Sequence, residues 1–224
     1  MLSFRQGFGL NTIKPINNNN WSPSDESSLE AWYQNEVGIT TVENFVSQWL
    51  DSSTNNHDMN QASGTNRPAY SGGILTFDGV NDNLASNQIN LTGSCTIGIR
   101  GRFSISSGTP IMGDDDTSNA FIKIQSTTSL RIRVTAGLVD FTLSSGTFGE
   151  DYLVITRDGS NSISAYRNGV LISAPQTRSG TIKIDNIGTH SGGGFFKGEL
   201  REVVIFDSTS SALTSNLNSR LSTL

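Results

Sequence analysis

Cys95 is the single cysteine in 224 residues, which excludes an internal disulfide. A lone thiol inside a strand serves as a small buried hydrophobe. Proline is also scarce, 5 residues against 23 glycines, a balance that suits tight turns and not a proline-rich linker. Only 16% of residues are charged, and the 20 acids outnumber the 15 Lys and Arg, giving a net charge of −5. Such a balance argues against a nucleic-acid partner, which normally needs a basic face. No stretch approaches the roughly 20 apolar residues of a membrane span. Met1–Leu10 lacks the uninterrupted apolar core of a secretory signal. With no disulfide to form, the expectation is folding in a reducing cytoplasm, with neither membrane nor nucleic acid as partner.

What is present is a series of short β-prone runs separated by Gly, Asn, Asp and Ser. The clearest is Ile163-Ser164-Ala165-Tyr166-Arg167-Asn168-Gly169-Val170-Leu171-Ile172. Asn-Gly between two such runs predicts a type I′ hairpin, whose two central residues need positive φ. Ile122/Ile124, Ile132/Val134 and Val139/Phe141/Leu143 alternate with polar residues, the period of a sheet with one wet face. Further strands are expected at Leu29–Tyr33, Gly38–Thr41, Val46–Trp49, Cys95–Ile105, Ile184–Gly188 and Phe196–Asp207, with a strand, turn and strand over Ile74–Leu84 and a strand with its own Asp-Gly turn over Tyr152–Gly159. Leu213, Leu217 and Leu221 recur every four residues after Ser210-Ser211, which predicts a short closing helix with one apolar stripe. The pattern describes an all-β sandwich over residues 27–224. Residues 1–26 differ: Asn17-Asn18-Asn19-Asn20 and two prolines are scattered with apolar residues of no period. They form either a disordered leader or an extended arm that docks on a partner, with Phe4, Phe8 and Trp21 as the candidate anchors.

Three stretches carry a resemblance to a known family. Leu75-Thr76-Phe77-Asp78-Gly79-Val80-Asn81-Asp82, Ala165-Tyr166-Arg167-Asn168-Gly169-Val170 and Phe196-Lys197-Gly198-Glu199-Leu200-Arg201-Glu202-Val203 follow in the order of the laminin-G-like, concanavalin A-like jelly rolls. The resemblance implies a jelly-roll sandwich with an N-terminal arm and a C-terminal helix. The leading block Leu29–Tyr33, Val46–Ser53 and Asn56–Met59 resembles jelly-roll virion proteins of tailed phages, marine ones especially. That likeness implies a non-enzymatic structural protein decorating the capsid surface and assembled in the host cytoplasm. Its partners would be the major capsid protein or other virion subunits, and it would form a homo-oligomer. The alternative within the same superfamily is a carbohydrate-binding adhesion module on a tail or fibre, with a glycan as partner.

The residues offer few catalytic candidates. A retaining glycosidase needs two facing carboxylates about 5–5.5 Å apart. Glu199 and Glu202, three apart on one strand, are expected on opposite faces. His57 and His190 fall in polar loops without a third ligand at metal-site spacing, so both are expected to be solvated. Asp114-Asp115-Asp116 is the candidate metal run: it is either a calcium site, completed by loop carbonyls, or a solvated loop tip. Calcium is the one cofactor left open. Asp78 and Asp82 read as turn formers. Sugar binding needs an exposed aromatic platform, for which Trp32, Trp49, Tyr166 and the loop Gly192-Gly193-Gly194-Phe195-Phe196 are the candidates.

Overall fold

The computed structural model describes residues 21–103, 108–115, 120–191 and 193–224. In chain order the strands are β1 (Leu29–Tyr33), β2 (Ile39–Val42), β3 (Phe45–Trp49), β4 (Met59–Asn60), β5 (Ala69–Ser71), β6 (Ile74–Asp78), β7 (Leu84–Leu91), β8 (Cys95–Arg102) and β9 (Thr109–Gly113). They continue as β10 (Phe121–Ser126), β11 (Ser129–Val134), β12 (Gly137–Thr142), β13 (Glu150–Arg157), β14 (Ser162–Arg167), β15 (Val170–Leu171), β16 (Gln176–Thr177), β17 (Ile182–Ile187) and β18 (Lys197–Phe206). A single helix, α1 (Ser211–Leu221), follows. No described helix is long and apolar enough to cross a membrane.

Every strand pairing is antiparallel, and the pairings resolve into two layers. The back layer runs β14–β13–β8–β18. Beyond it, the first half of β18 pairs with β6 and the second half with β1. The front layer runs β7–β17–β9–β10–β11–β12. Alternate residues from both layers meet in one apolar core, Ile97, Ile99, Leu153, Ile155 and Val203 from the back, Ile122, Ile124, Ile132, Val139 and Phe141 from the front. This is the sandwich that the period-2 alternation predicts. The Asn-Gly hairpin also forms as expected, with φ of +50° at Asn168 and +78° at Gly169.

The helix lies on the outer face of the back layer. Ser210 caps it, its Oγ accepting the Leu213 amide at 3.0 Å. Leu213, Leu217 and Leu221 are all buried in a second apolar cluster with Trp32, Val154, Val204 and Phe206. Burying each leucine is worth about 1.5–3 kcal/mol relative to leaving it in water. Close seating depends on Gly98 of β8, where a Cβ would lie 2.7 Å from Leu217 Cδ2. Trp21 belongs to this cluster as well: its ring is 6.4 Å from that of Phe206, and its Nε1 donates to Glu26 at 2.9 Å. Residues 21–26 therefore lie against the sandwich. Phe4 and Phe8 lie outside the described residues.

Glu199 and Glu202 do not follow the expected alternation. The register with β8 shifts between Leu200 and Glu202, so that Leu200 opposes Gly101 while Glu202 opposes Arg100. A bulge adds one residue to its strand and turns the following side chains over. Both glutamates consequently face outward on the back layer. Glu202 is fully buried beneath α1, held by Arg220 through hydrogen bonds of 2.5 and 2.9 Å. Glu199 pairs with Arg102 at 3.5 Å. Glu202 is thus closed off from solvent, while Glu199 stays partly exposed beside Arg102.

Candidate functional site

The back layer does not fill the space beside α1. Because α1 sits over β8 and β13, the outer positions of β14 stay uncovered on one side of the helix. The result is a groove of about 580 Å³. Its floor is Thr156, Ser162, Ser164 and Tyr166, its wall is Ser211, Thr214, Ser215 and Asn218, and Asp158 and Gly169 stand at its rim. Ten of the thirteen lining residues carry a hydroxyl, and Asp158 is the single charged one. Such a surface offers many donors and acceptors in fixed positions with almost no net charge.

Local sequence places each group. Ser162, Ser164 and Tyr166 share a face because strand side chains alternate with period two. Their partners Ile163 and Ala165 fill the core on the other side. Tyr166 packs one side of its ring against the second apolar cluster and stays partly exposed. Asp158 is held at the turn by the Ser160 amide at 2.9 Å, the Ser160 hydroxyl at 2.7 Å and the Ser162 amide at 2.9 Å. The Ser160 and Ser162 bonds hold its carboxyl below the usual aspartate range. On the helix, Ser210 and Thr214 are occupied with capping and backbone bonds. By contrast the hydroxyls of Thr156, Ser162, Ser164 and Ser215 have no hydrogen-bond partner among the described residues. Asn218 Oδ1 is buried without a partner. A buried acceptor left unsatisfied costs roughly 1–3 kcal/mol and marks a place where a ligand donor is welcome.

The other sequence candidates fall elsewhere. Trp49 is fully buried and donates its Nε1 to the Gln34 carbonyl at 3.1 Å. Trp32 is 6% exposed, and the Arg220 guanidinium lies 4.8 Å above its ring, so neither tryptophan is a platform. Phe196 is likewise buried. Asp78 and Asp82 are turn formers as expected: Asp78 Oδ1 accepts the Val80 amide at 2.7 Å and Asp82 Oδ2 the Asp78 amide at 2.9 Å. Burial and the neighbouring Asp78 carboxylate push the Asp82 carboxyl up to about 6.

The histidines are not solvated. His57 is 13% exposed and lies 3.3 Å from Glu30, because its loop folds back over β1 and β7. His190 is 8% exposed and stacks on Phe121 with ring centroids 4.5 Å apart. Its Nδ1 contacts the Ser191 carbonyl at 2.9 Å, and since a carbonyl only accepts, that nitrogen carries the proton. Burial lowers its pKa, and Lys123 and Arg133 lower it further.

Of the aspartate run, Asp116 lies outside the described residues. Asp114 is fully buried, its Oδ1 accepting from Gln88 Nε2 at 3.0 Å, and the Asp115 amide donates to Asp185 Oδ1 at 2.8 Å. No three His, Cys, Asp or Glu side chains gather as a metal site would among the described residues.

The groove, with Tyr166 as its aromatic member, was open to sequence reasoning only in part. Tyr166 stood out as an aromatic on a hairpin. The serines and threonines of α1 carried no signal, because the helix had first to be placed beside β14.

No protein-family model matches the chain, and no curated protein does. Solved structures do resemble it. Trypanosoma rangeli sialidase in complex with sialic acid superposes with a TM-score of 0.59 at 15% identity, covering 88% of this chain and 33% of the sialidase. A botulinum neurotoxin type C structure, described as dependent for cell entry on interaction with two ganglioside molecules, gives 0.55 at 16% identity, covering 88% and 51%. The binding domain of botulinum neurotoxin DC, in complex with rat synaptotagmin II, gives 0.58 at 16% identity, covering 90% and 52%. The chain thus spans about a third to a half of these proteins. At such identities the likeness is one of fold: a jelly-roll-like β-sandwich.

Proposed function

We propose that this chain is a carbohydrate-binding module whose groove between α1 and β14 takes an uncharged part of a glycan. The observation that carries the reading is the groove's chemistry: free Thr and Ser hydroxyls, the edge of one tyrosine ring, and the unsatisfied Asn218 Oδ1. A sugar offers hydroxyls in pairs and a flat C–H face. It satisfies such a surface better than an apolar ligand, which would strand the hydroxyls, or an anionic one, which would meet only the Asp158 carboxylate. Two structures of like fold are described with sialic acid and with gangliosides, which supports a sugar partner by analogy of fold alone.

A glycan array followed by calorimetry tests it. Binding should weaken at least tenfold in Tyr166→Ala and in Asn218→Ala, with the melting temperature little changed. An array without hits, or affinity indifferent to both variants, refutes the groove. The capsid-decoration reading rests on the likeness of Leu29–Tyr33, Val46–Ser53 and Asn56–Met59 to virion proteins and docks through the arm of residues 1–26, with Phe4, Phe8 and Trp21 as anchors; the same protein tests it. A truncation starting at Trp21 keeps the ring that packs on Phe206. If capsids lacking the protein bind the full chain but not this truncation, and the array is empty, decoration replaces sugar binding as the reading.

A further inference from the structure

The opposite, outer face of the front layer carries a group of cations that the groove does not use. Lys123 on β10 stands directly opposite Arg131 on β11, and Phe121 directly opposite Arg133. Like charges facing each other across an antiparallel pair destabilise a sheet. The chain places them there although its acids outnumber its bases, 20 to 15. One carboxylate answers them. Asp140 of β12 stands opposite Arg131 and binds it through hydrogen bonds of 2.6 and 2.7 Å. Lys123 and Arg133 have no ion pair among the described residues, and Arg133 Nε is buried without a hydrogen-bond partner.

These cations are held in place. The Lys123 ammonium sits 4.8 Å from the centroid of the Phe121 ring, which stacks in turn on His190. Gly193 closes over that histidine, for a Cβ there would lie 2.3 Å from Nε2. Burial and Arg131 lower the Lys123 pKa, and the Asp140 carboxylate only partly offsets them. His190, kept neutral by burial, adds no charge to the group. Three partly desolvated cations that share the single carboxylate of Asp140 keep an excess of positive charge, which prepares the face for an external anion.

We propose that Lys123, Arg131 and Arg133 form a second binding face, for the carboxylate or sulfate groups of an acidic polysaccharide. With a net charge of −5 the chain as a whole repels long polyanions, so the contact is local to these three cations and sensitive to salt. A peptide that adds a strand needs a free sheet edge and one that docks by apolar side chains needs a groove; an acidic peptide held by an arginine cluster is the competing occupant, which poly-L-glutamate tests. Here β10 and β11 are each paired on both sides, and the face is polar. A sugar chain needs neither an edge nor a groove. Its acidic groups can reach cations spaced about 5 Å across strands and 7 Å along one. This face lies on the other layer from the α1 groove and does not rest on the proposal made for it.

The test uses the full chain against heparin and polygalacturonate, with dextran and poly-L-glutamate as comparators, at low and at physiological salt. Heparin or polygalacturonate should bind and weaken as salt rises, while dextran does not bind through this face. Lys123→Met and Arg133→Met should each reduce that affinity at least fivefold, and the double variant at least twentyfold. Tyr166→Ala should leave it unchanged. Lys123→Met should also melt no lower than the parent, since it removes a like-charge opposition; a purely structural lysine would give a lower melting temperature. Absence of binding to both acidic polysaccharides at low salt overturns the proposal. So does binding that ignores both variants, or poly-L-glutamate binding as tightly with the same sensitivity. Loss of array binding in Tyr166→Ala with polysaccharide binding intact separates failure of one site from failure of the other.

Discussion

Replacing Arg220 with methionine should loosen α1 on the sheet and weaken binding in the groove, although Leu213, Leu217 and Leu221 still hold the helix down. Glu202 is fully buried, whereas Arg220 keeps about a fifth of its side chain exposed, 21%. The two are joined by hydrogen bonds of 2.5 and 2.9 Å, and the guanidinium also covers Trp32 at 4.8 Å. Removing one partner of a buried pair costs about 3–5 kcal/mol, because the remaining charge is left without compensation. The partial exposure of Arg220 and the bond Glu202 retains from the Asn35 amide, 3.2 Å, place this case at the lower end. About 3 kcal/mol is a large part of the roughly 5–15 kcal/mol that holds a domain folded. For a chain of this length it lowers the melting temperature by roughly 6–12 °C. The double variant Glu202→Gln/Arg220→Met removes the stranded charge, and most of the loss should return. Urea titration of parent, both singles and double gives the four corners of the cycle. Sugar affinity should follow, since Asn218 stands two residues before Arg220 on the same helix. A loss below about 1 kcal/mol in Arg220→Met, or a double variant no more stable than that single, refutes the reasoning.

Three further outcomes follow from single groups. Asp82 has a folded pKa of about 6 against an ordinary 3.8, so the folded state binds its proton more tightly than the unfolded state does. Its contribution is therefore complete below about pH 4 and falls as pH rises to 6; urea titrations across that window should show this decline in the parent and not in Asp82→Asn. Cys95 is fully buried and its thiol is pushed up to about 11, so a thiol reagent should leave it unlabelled in the native protein and modify it only as denaturant unfolds the sandwich. Native labelling on the timescale of an exposed cysteine would contradict the fold. Gly169→Ala places a Cβ at φ +78° and 3.2 Å from Tyr152 Oη, and equilibrium unfolding should register a loss of about 1–2 kcal/mol. A neutral substitution there would show that the Asn-Gly turn is not held in its left-handed conformation.

The elements were legible where local chemistry decides them. Asn168-Gly169 requires positive φ whatever surrounds it, and Ile122/Ile124 and Leu213/Leu217/Leu221 each advertise one buried face. The failures are those of residues whose fate is set at long range. Arg157 reads as an ordinary strand arginine, yet it is fully buried, donating to the Leu91, Gly93 and Gly180 carbonyls at 2.7 Å each. His190 reads as a loop histidine until Phe121, nearly seventy positions earlier in the chain, is stacked against it. Glu199 and Glu202 are misplaced by period-2 counting because a bulge is a property of the pairing with β8, not of β18 alone.

The same distinction explains why neither proposed face is legible as a whole in the sequence. A groove made of Ser162 and Ser164 on a strand and Thr214 and Ser215 on a helix looks, in sequence, like ordinary surface. Its meaning comes from adjacency between elements some fifty residues apart. The cationic face is subtler, since Lys123 and Arg131 are separated by only a hairpin. Each alternates with core residues as any solvated strand position would. What sets them apart is register: a slip of one residue would send both into the core, so the buried isoleucines on either side fix the like charges opposite one another. The core that stabilises the sandwich therefore imposes the electrostatic cost on its outer face. A chain with an acid surplus could have relieved that cost with one more carboxylate opposite Lys123. Arg131 has such a partner in Asp140, and the position across from Lys123 has none. Introducing that relief supplies the last test. Phe121 lies beneath the Lys123 ammonium, so Phe121→Glu would bring a carboxylate to the cation from within the face, and acidic polysaccharide should then lose its hold. If it bound as well with the internal anion in place, the cations would not be what it recognises.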